Sequence, residues 1–282
     1  MTPHFAIATR DELWLRGRLI EQRLSHGEAF HDGETIVAAD ARNEALVAQC
    51  DAAMDELRRC VIPDLRMRLV AEARLDGTTS TITASLRGPS IVTNPQHLDQ
   101  DLQLLWSAAT PVAALTGGEA ADPSHLPMLW QNGTAAVLLH EAAGHAEEHG
   151  QTPILPAWLT VENPLILRRA TFRDIPLLRM TNLVARQHGA PFELPNPRIE
   201  VLLVDGGHYD PLTEVVTLRI AAADFVEGTE SRRLPPFDYT RHRTAIDFLG
   251  ATGDPIRYPG VICSREGQEL VVGSHAPLMV TA

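Results

Sequence analysis

A chain of 282 residues, 44% hydrophobic and 21% charged, has the composition of a folded globular protein and the length for one large domain or two ordinary ones. Its 36 acidic against 24 basic residues give a net charge of −12, which repels phosphate backbones and argues against nucleic acid as a ligand. Every basic side chain is arginine, and the lack of lysine excludes Schiff-base catalysis and a P-loop.

The opening residues "MTPHFAIATRDELW" have no basic segment followed by a long apolar run, so no signal peptide is expected. No stretch has the length of a membrane span. Cys50, Cys60 and Cys263 form no C-x-x-C pair, and an odd count without a secretion signal points to a reducing cytoplasm. Thr9 and Glu12 make a capping-box pattern ahead of Leu13, Leu15, Leu19, Ile20 and Leu24, which predicts a first helix. A second is predicted over 44–60, where Leu46, Cys50, Ala53, Leu57 and Val61 step along one face. Cys50 and Cys60 then read as small buried apolar residues. Alternation at Leu65, Met67, Leu69, Ala71, Ala73 and Leu75, a turn at Asp76-Gly77, and renewed alternation at Ile82, Ala84 and Leu86 predict a β-hairpin. Asn94 and Pro95 suit a helix start, and Leu98, Leu102, Leu105 and Trp106 mark a third amphipathic helix.

The small and turn-forming residues of "TGGEAADPSH" (116–125) read as a linker. Beyond it prolines multiply and helical periodicity fades except over 134–149. Strand-like runs take over at 199–204, 215–220, 269–272 and 278–281. The predicted fold class is α+β: an N-terminal α/β layer domain over 1–115, a linker over 116–126, and a mainly β domain over 127–282 carrying one helix.

That helix holds the stretch "LLHEAAGHAEEHG", in which His140 and His145 stand five residues apart rather than the four of a zincin. On an ideal helix this places them about 140° apart, on different faces. "NGTAAVLL" supplies a turn, a Thr134 cap and an apolar run that would be buried, so the polar cluster emerges from a hydrophobic segment. A glutamate and two histidines there are costly unless paired or metal-bound. A π-bulge would bring positions five apart back to within about 50°, and Gly144 would tolerate the distortion. In a regular helix the stripe would instead be Glu141, His145 and His149, with His140 pointing elsewhere. Spacing alone leaves both arrangements open.

Four segments resemble the TldD/PmbA family of metallopeptidases, known in older usage as gyrase modulators. "GTAAVLLHEAAGHAEE" (133–148) is similar to the family's His-Glu-x-x-x-His helix, with a glutamate at Glu148. "RRATFRDIPLLRMTNL" (168–183) resembles its arginine-rich stretch ending in Arg-Met-Thr-Asn. "VDGGHYDPLTEVVTLRIAAADFVEG" (204–228) resembles its double-glycine turn and strand. "GVICSREGQELVVGSHAPLMV" (260–280) resembles its C-terminal Cys-x-x-x-Gly-Gln and Val-Gly segment. The order of the segments is the family's order, while over 1–125 the likeness is faint.

The resemblance implies zinc held by His140, His145 and Cys263, with Glu141 as general base and a helix distortion near Gly144. Imidazole and thiolate are zinc ligands, and three protein ligands leave a fourth position for water. A thiolate gives the metal more charge than a third imidazole would, so a base beside the water matters more. Arg179 and Asn182 are candidates for holding a substrate carboxylate or carbonyl, although a structural ion pair explains Arg179 equally well. Glu148 could orient a ligand histidine or lie on the helix surface. His149, His208, His242 and His275 read as surface or loop histidines, of which His208 and His275 could line the pocket.

The chain departs from the family in length. The stretch between the histidine helix and Arg179 is shortened, and His149-Gly150 stands where the family has Gly-Asp. The expected activity is zinc-dependent cleavage of amide bonds in short peptides or a peptide-like small molecule, including maturation of a natural product. The alternative is a non-catalytic subunit of a two-chain complex. The expected partner is a second copy or a related metal-free chain.

Overall fold

A computed structural model describes residues 5–29, 40–74, 77–86, 90–108, 125–169, 176–265 and 268–282. The predicted linker, apart from its last two residues, lies outside them, as do Leu75 and Asp76. The chain divides into two compact units, Met1–Gln103 and Leu104–Ala282. The fold is α+β and dominated by strands. No helix among the described residues is long and apolar enough to cross a membrane.

The first unit holds strands β1 (Phe5–Leu15), β2 (Arg18–Ala29), β3 (Arg66–Arg74), β4 (Gly77–Ser85) and β5 (Ser90–Thr93), with helix α1 (Asp40–Arg58). Helix α2 (Leu98–Ala108) follows. The strands form an antiparallel sheet in the order β5-β4-β3-β1-β2, and α1 packs on β1, β3 and β4. The hairpin predicted from alternation is β3–β4, with Leu65, Met67, Leu69, Ala71, Ala73, Ile82 and Ala84 buried. Cys50 is buried in α1 and its thiol donates to the Ala71 carbonyl at 3.0 Å. Asn94 caps the turn that leads into α2, its Oδ1 accepting from the amides of Gln96 and His97 at 3.0 and 3.1 Å. Leu98, Leu102 and Leu105 are buried, but Trp106 is 45% exposed and lies off the apolar stripe.

The first predicted helix is a correction. Residues 5–29 form the β1–β2 hairpin, turning at Arg16 and Gly17, both with positive φ. Register explains the misreading. Arg10, Glu12 and Trp14 stand opposite Ala71, Leu69 and Met67, so the strand's core-facing side is largely polar. Glu12 is fully buried and is paired with Arg58 of α1, while Trp14 Nε1 and Gln22 Nε2 each donate to it at 3.0 Å. Leu15, Leu19 and Ile20, three residues of the expected helical stripe, are exposed.

In the second unit β6 (Met128–Trp130) lies between β11 (Arg198–Asp210), which it pairs in parallel, and β16 (Gln268–Thr281), antiparallel. Outward on one side come β12 (Val215–Glu227), then β13 (Glu230–Arg233) and β14 (Phe237–His242); on the other side lies β15 (Phe248–Arg265). β10 (Asn182–Gln187) runs parallel to β16 and antiparallel to β7 (Leu159–Glu162). β8 (Leu165–Arg169) and β9 (Pro176–Met180) make a separate hairpin. The runs predicted at 269–272 and 278–281 are one continuous strand, β16, because "GSHAP" stays extended between its neighbours. The 199–204 run extends to Asp210 through bulges at the double glycine.

After β6 the chain turns at Asn132 and Gly133, both at positive φ, where any Cβ on Gly133 would lie 2.7 Å from the Ile256 carbonyl. Thr134 caps differently from expectation: its hydroxyl donates to the Gln131 carbonyl at 2.7 Å and accepts no helix amide. Helix α3 (Ala135–Leu139) is buried along its whole length and packs on β16, β10 and β11. This anchors the histidine segment that continues it.

Candidate metal centre

The segment His140–Gly144 is a π-helical turn between α3 and α4 (His145–Glu148). The His145 amide donates to the His140 carbonyl, one residue wider than an α-helical bond. The extra residue brings the two imidazoles onto one side, with ring centroids 4.9 Å apart and planes at 88°. The regular-helix alternative, with His140 pointing elsewhere, does not occur. Gly144 keeps ordinary helical angles (φ −62°, ψ −51°). Its need is for space: a Cβ there would stand 2.8 Å from Met180 Cε and 2.9 Å from Sδ.

Cys263, on β15, reaches the same place from 118 residues away, with its Sγ 3.6 Å from His145 Nε2. Ligand atoms of His140, His145 and Cys263 lie within 4.8 Å of one another. His140 and Cys263 are buried, and His145 is nearly so. Zinc bonds of about 2.3 Å to sulfur and about 2.0 Å to nitrogen, set tetrahedrally, put S and N about 3.5 Å apart, so this edge already has close to the required length. The buried Nδ1 of His140 has no hydrogen-bond partner, a costly state that a metal would relieve. The donor set and geometry fit zinc.

Glu141 is 4% exposed, and its Oε2 lies 3.6 Å from His145 Nε2 without a hydrogen-bond partner. Burial pushes its carboxyl up to about 7. Its place is bounded by Gly207 in the bulge of β11, where an added Cβ would stand 2.6 Å from Leu218 Cδ2, 2.7 Å from Glu141 Cγ and 2.8 Å from Oε1. Burial and the neighbouring His145 hold His140 down to about 3. For His145 burial opposes the charged form, but the hydrogen bonds to Cys263 and Glu148 outweigh it and raise the imidazole to about 10.

Glu148 is buried and ties the site together. Its Oε2 accepts from His145 Nδ1 at 2.8 Å and its Oε1 from the Met180 amide at 2.6 Å. Although burial works against its charged form, His145 and Arg179 hold its pKa below the ordinary value. Arg179 is wholly enclosed, with its guanidinium turned to Cys263 and Glu148 rather than to an open cleft. That is the ion-pair reading of Arg179, and the enclosure argues against contact with substrate.

The other sequence candidates do not gather here. Leu183, Ala185, Val272, Ser274 and Ala276 form the buried face of β10 and β16, the strands on which α3 packs. Asn182 and His275 alternate with them and so face the other side, Asn182 over Gly273 and His275 opposite Arg257. His208 follows Gly207 in β11 and is exposed. His149 and His242 are exposed as expected. The sequence reading missed Met180, Gly207 and Asn163, whose Nδ2 donates to Glu147 Oε2 at 2.7 Å. The signals were present in the double glycine and in the methionine after Arg179, but their partners are remote in sequence.

Fold and site define an α+β protein with a buried His–His–Cys group and an adjoining carboxylate. No family model matches the sequence, and no curated protein matches it. Among solved structures the chain is similar to TldE from Thermococcus kodakarensis, at 8% identity over 99% of this chain and 96% of that one, with a TM-score of 0.45. It is also similar to a protein from Thermotoga maritima named as a modulator of a DNA gyrase, at 8% identity over 98% and 94%, TM-score 0.42.

Proposed function

We propose that this chain is a TldD/PmbA-type zinc-dependent hydrolase that cleaves amide bonds in short peptides or a peptide-like small molecule. His140, His145 and Cys263 are the metal ligands and Glu141 is the general base. The observation that carries the reading is the convergence of two imidazoles and a thiol, buried or nearly so, within 4.8 Å beside a buried carboxylate. Zinc held there would supply Lewis acidity toward a carbonyl and acidify a water.

The chain's own residues do the rest. Glu148 fixes the His145 proton on Nδ1, which leaves Nε2 as the donor. Glu141, adjoining a ligand and 4% exposed, stands where it can accept a proton from water and return it to the leaving amine. Gly207 keeps space for that carboxylate.

The test is Glu141→Gln, assayed on a pool of short unstructured peptides together with zinc content. Cleavage should fall by roughly 10²- to 10⁴-fold while the metal stays. Unchanged cleavage would make the metal structural and favour a non-catalytic subunit of a two-chain complex.

A further inference from the structure

We infer that Arg179 is a positioning residue for the metal centre: it fixes Cys263 as a ligand and, by hydrogen bonding to its sulfur, limits the charge the thiolate gives to the metal. The inference rests on the reading of the site as a zinc centre. Nη2 of Arg179 donates both to the Cys263 carbonyl, at 2.8 Å, and to its Sγ, at 3.3 Å, so backbone and side chain of one ligand are held by one group. Nε lies 3.5 Å from Oε1 of Glu148, whose other oxygen holds His145. A single buried side chain thus spans the ligand on β15 and the ligand on α4.

Charge gives the second reason. With a divalent ion, the carboxylates of Glu141 and Glu148 and the Cys263 thiolate leave the buried cluster one negative charge in excess, and Arg179 cancels it. An uncompensated charge at such a depth is strongly unfavourable. The third reason is electronic. Hydrogen bonds to a ligand sulfur withdraw electron density and tune the metal, which offsets the weaker Lewis acidity that a thiolate would otherwise impose. The planar guanidinium supplies these bonds in a fixed fork that a lysine cannot reproduce.

Cobalt(II) in place of zinc makes the sulfur visible through the thiolate-to-cobalt charge-transfer band. Wild type, Arg179→Lys and Arg179→Gln are titrated with cobalt and with zinc. The expected result is a loss of metal affinity of about 10- to 100-fold in the variants. The band should also move to longer wavelength, further in Arg179→Gln than in Arg179→Lys. Folded variants with unchanged affinity and an unmoved band would overturn the inference. Variants that do not fold even in saturating cobalt assign Arg179 to the fold and overturn it equally. A wild type with no such band, or a band that survives Cys263→Ala, sinks the zinc reading itself.

Discussion

Ionising Glu141 in the metal-free protein takes a carboxylate out of water and leaves its Oε2 without a hydrogen bond. Its pKa rises from an ordinary 4.5 to about 7, so between those values the folded state keeps a proton that the unfolded chain has lost. Stability therefore falls as pH rises through this window, and the full cost, on the order of 3 kcal/mol, is present above about pH 7. Metal-free Glu141→Gln should be the more stable protein at pH 8, by denaturant unfolding, and the advantage should vanish toward pH 4.5. Gly207→Ala tests the carboxylate from the other side. Its Cβ would displace Glu141, so peptide cleavage should drop at least tenfold while zinc content holds; equal losses of both would contradict the assigned role. Histidine spacing alone left two helix geometries open, and the set His140, His145 and Cys263 came from the resemblance of the segments; the structure brings the three together. The surroundings were not legible in sequence. Asn182 and His275 lie in family-like segments, but which sheet face each takes is set by strand parity against α3, which no local pattern reveals.

The histidine segment shows what element-level reading can reach. Five-residue spacing on a buried apolar helix admits two geometries, and the π-turn is the one in which His140 and His145 meet. Gly144 was expected to permit the distortion, but it makes room for Met180, whose amide is held by Glu148. Gly144→Ala should accordingly cost about 1–3 kcal/mol by overpacking and weaken zinc binding, measured by unfolding and by titration with a competing chelator. The β1–β2 hairpin shows the opposite case. Its buried side is Arg10, Glu12 and Trp14, a pattern that makes sense only beside Arg58 of a helix about 45 residues later. Removing that partner is the informative change: Arg58→Ala leaves Glu12 without its main cation, though still bonded by Trp14 and Gln22, and should destabilise the first unit by about 1–3 kcal/mol. By contrast β3–β4 and α2 were readable because their cores are apolar at the period of the element.

At the scale of the whole molecule, His140, Glu141, His145, Glu148, Arg179 and Cys263 all belong to the unit Leu104–Ala282, and the unit Met1–Gln103 contributes none of them. Binding stabilises only what it binds. Zinc at about a thousand times its Kd should add roughly 4 kcal/mol to the second unit, a rise of about 8–16 °C in its melting temperature. In calorimetry with and without a chelator, only the transition of that unit should move; a common shift of all transitions would show that the units unfold as one.

The most direct measurement is the zinc X-ray absorption spectrum of the purified protein, with elemental analysis of wild type, His140→Ala and Cys263→Ala. About one zinc per chain is expected, with one sulfur neighbour at about 2.3 Å and nitrogen neighbours at about 2.0 Å. Loss of the ion in His140→Ala and loss of the sulfur neighbour in Cys263→Ala are expected as well. Zinc absent from wild type, or bound undiminished in His140→Ala, would contradict the zinc reading.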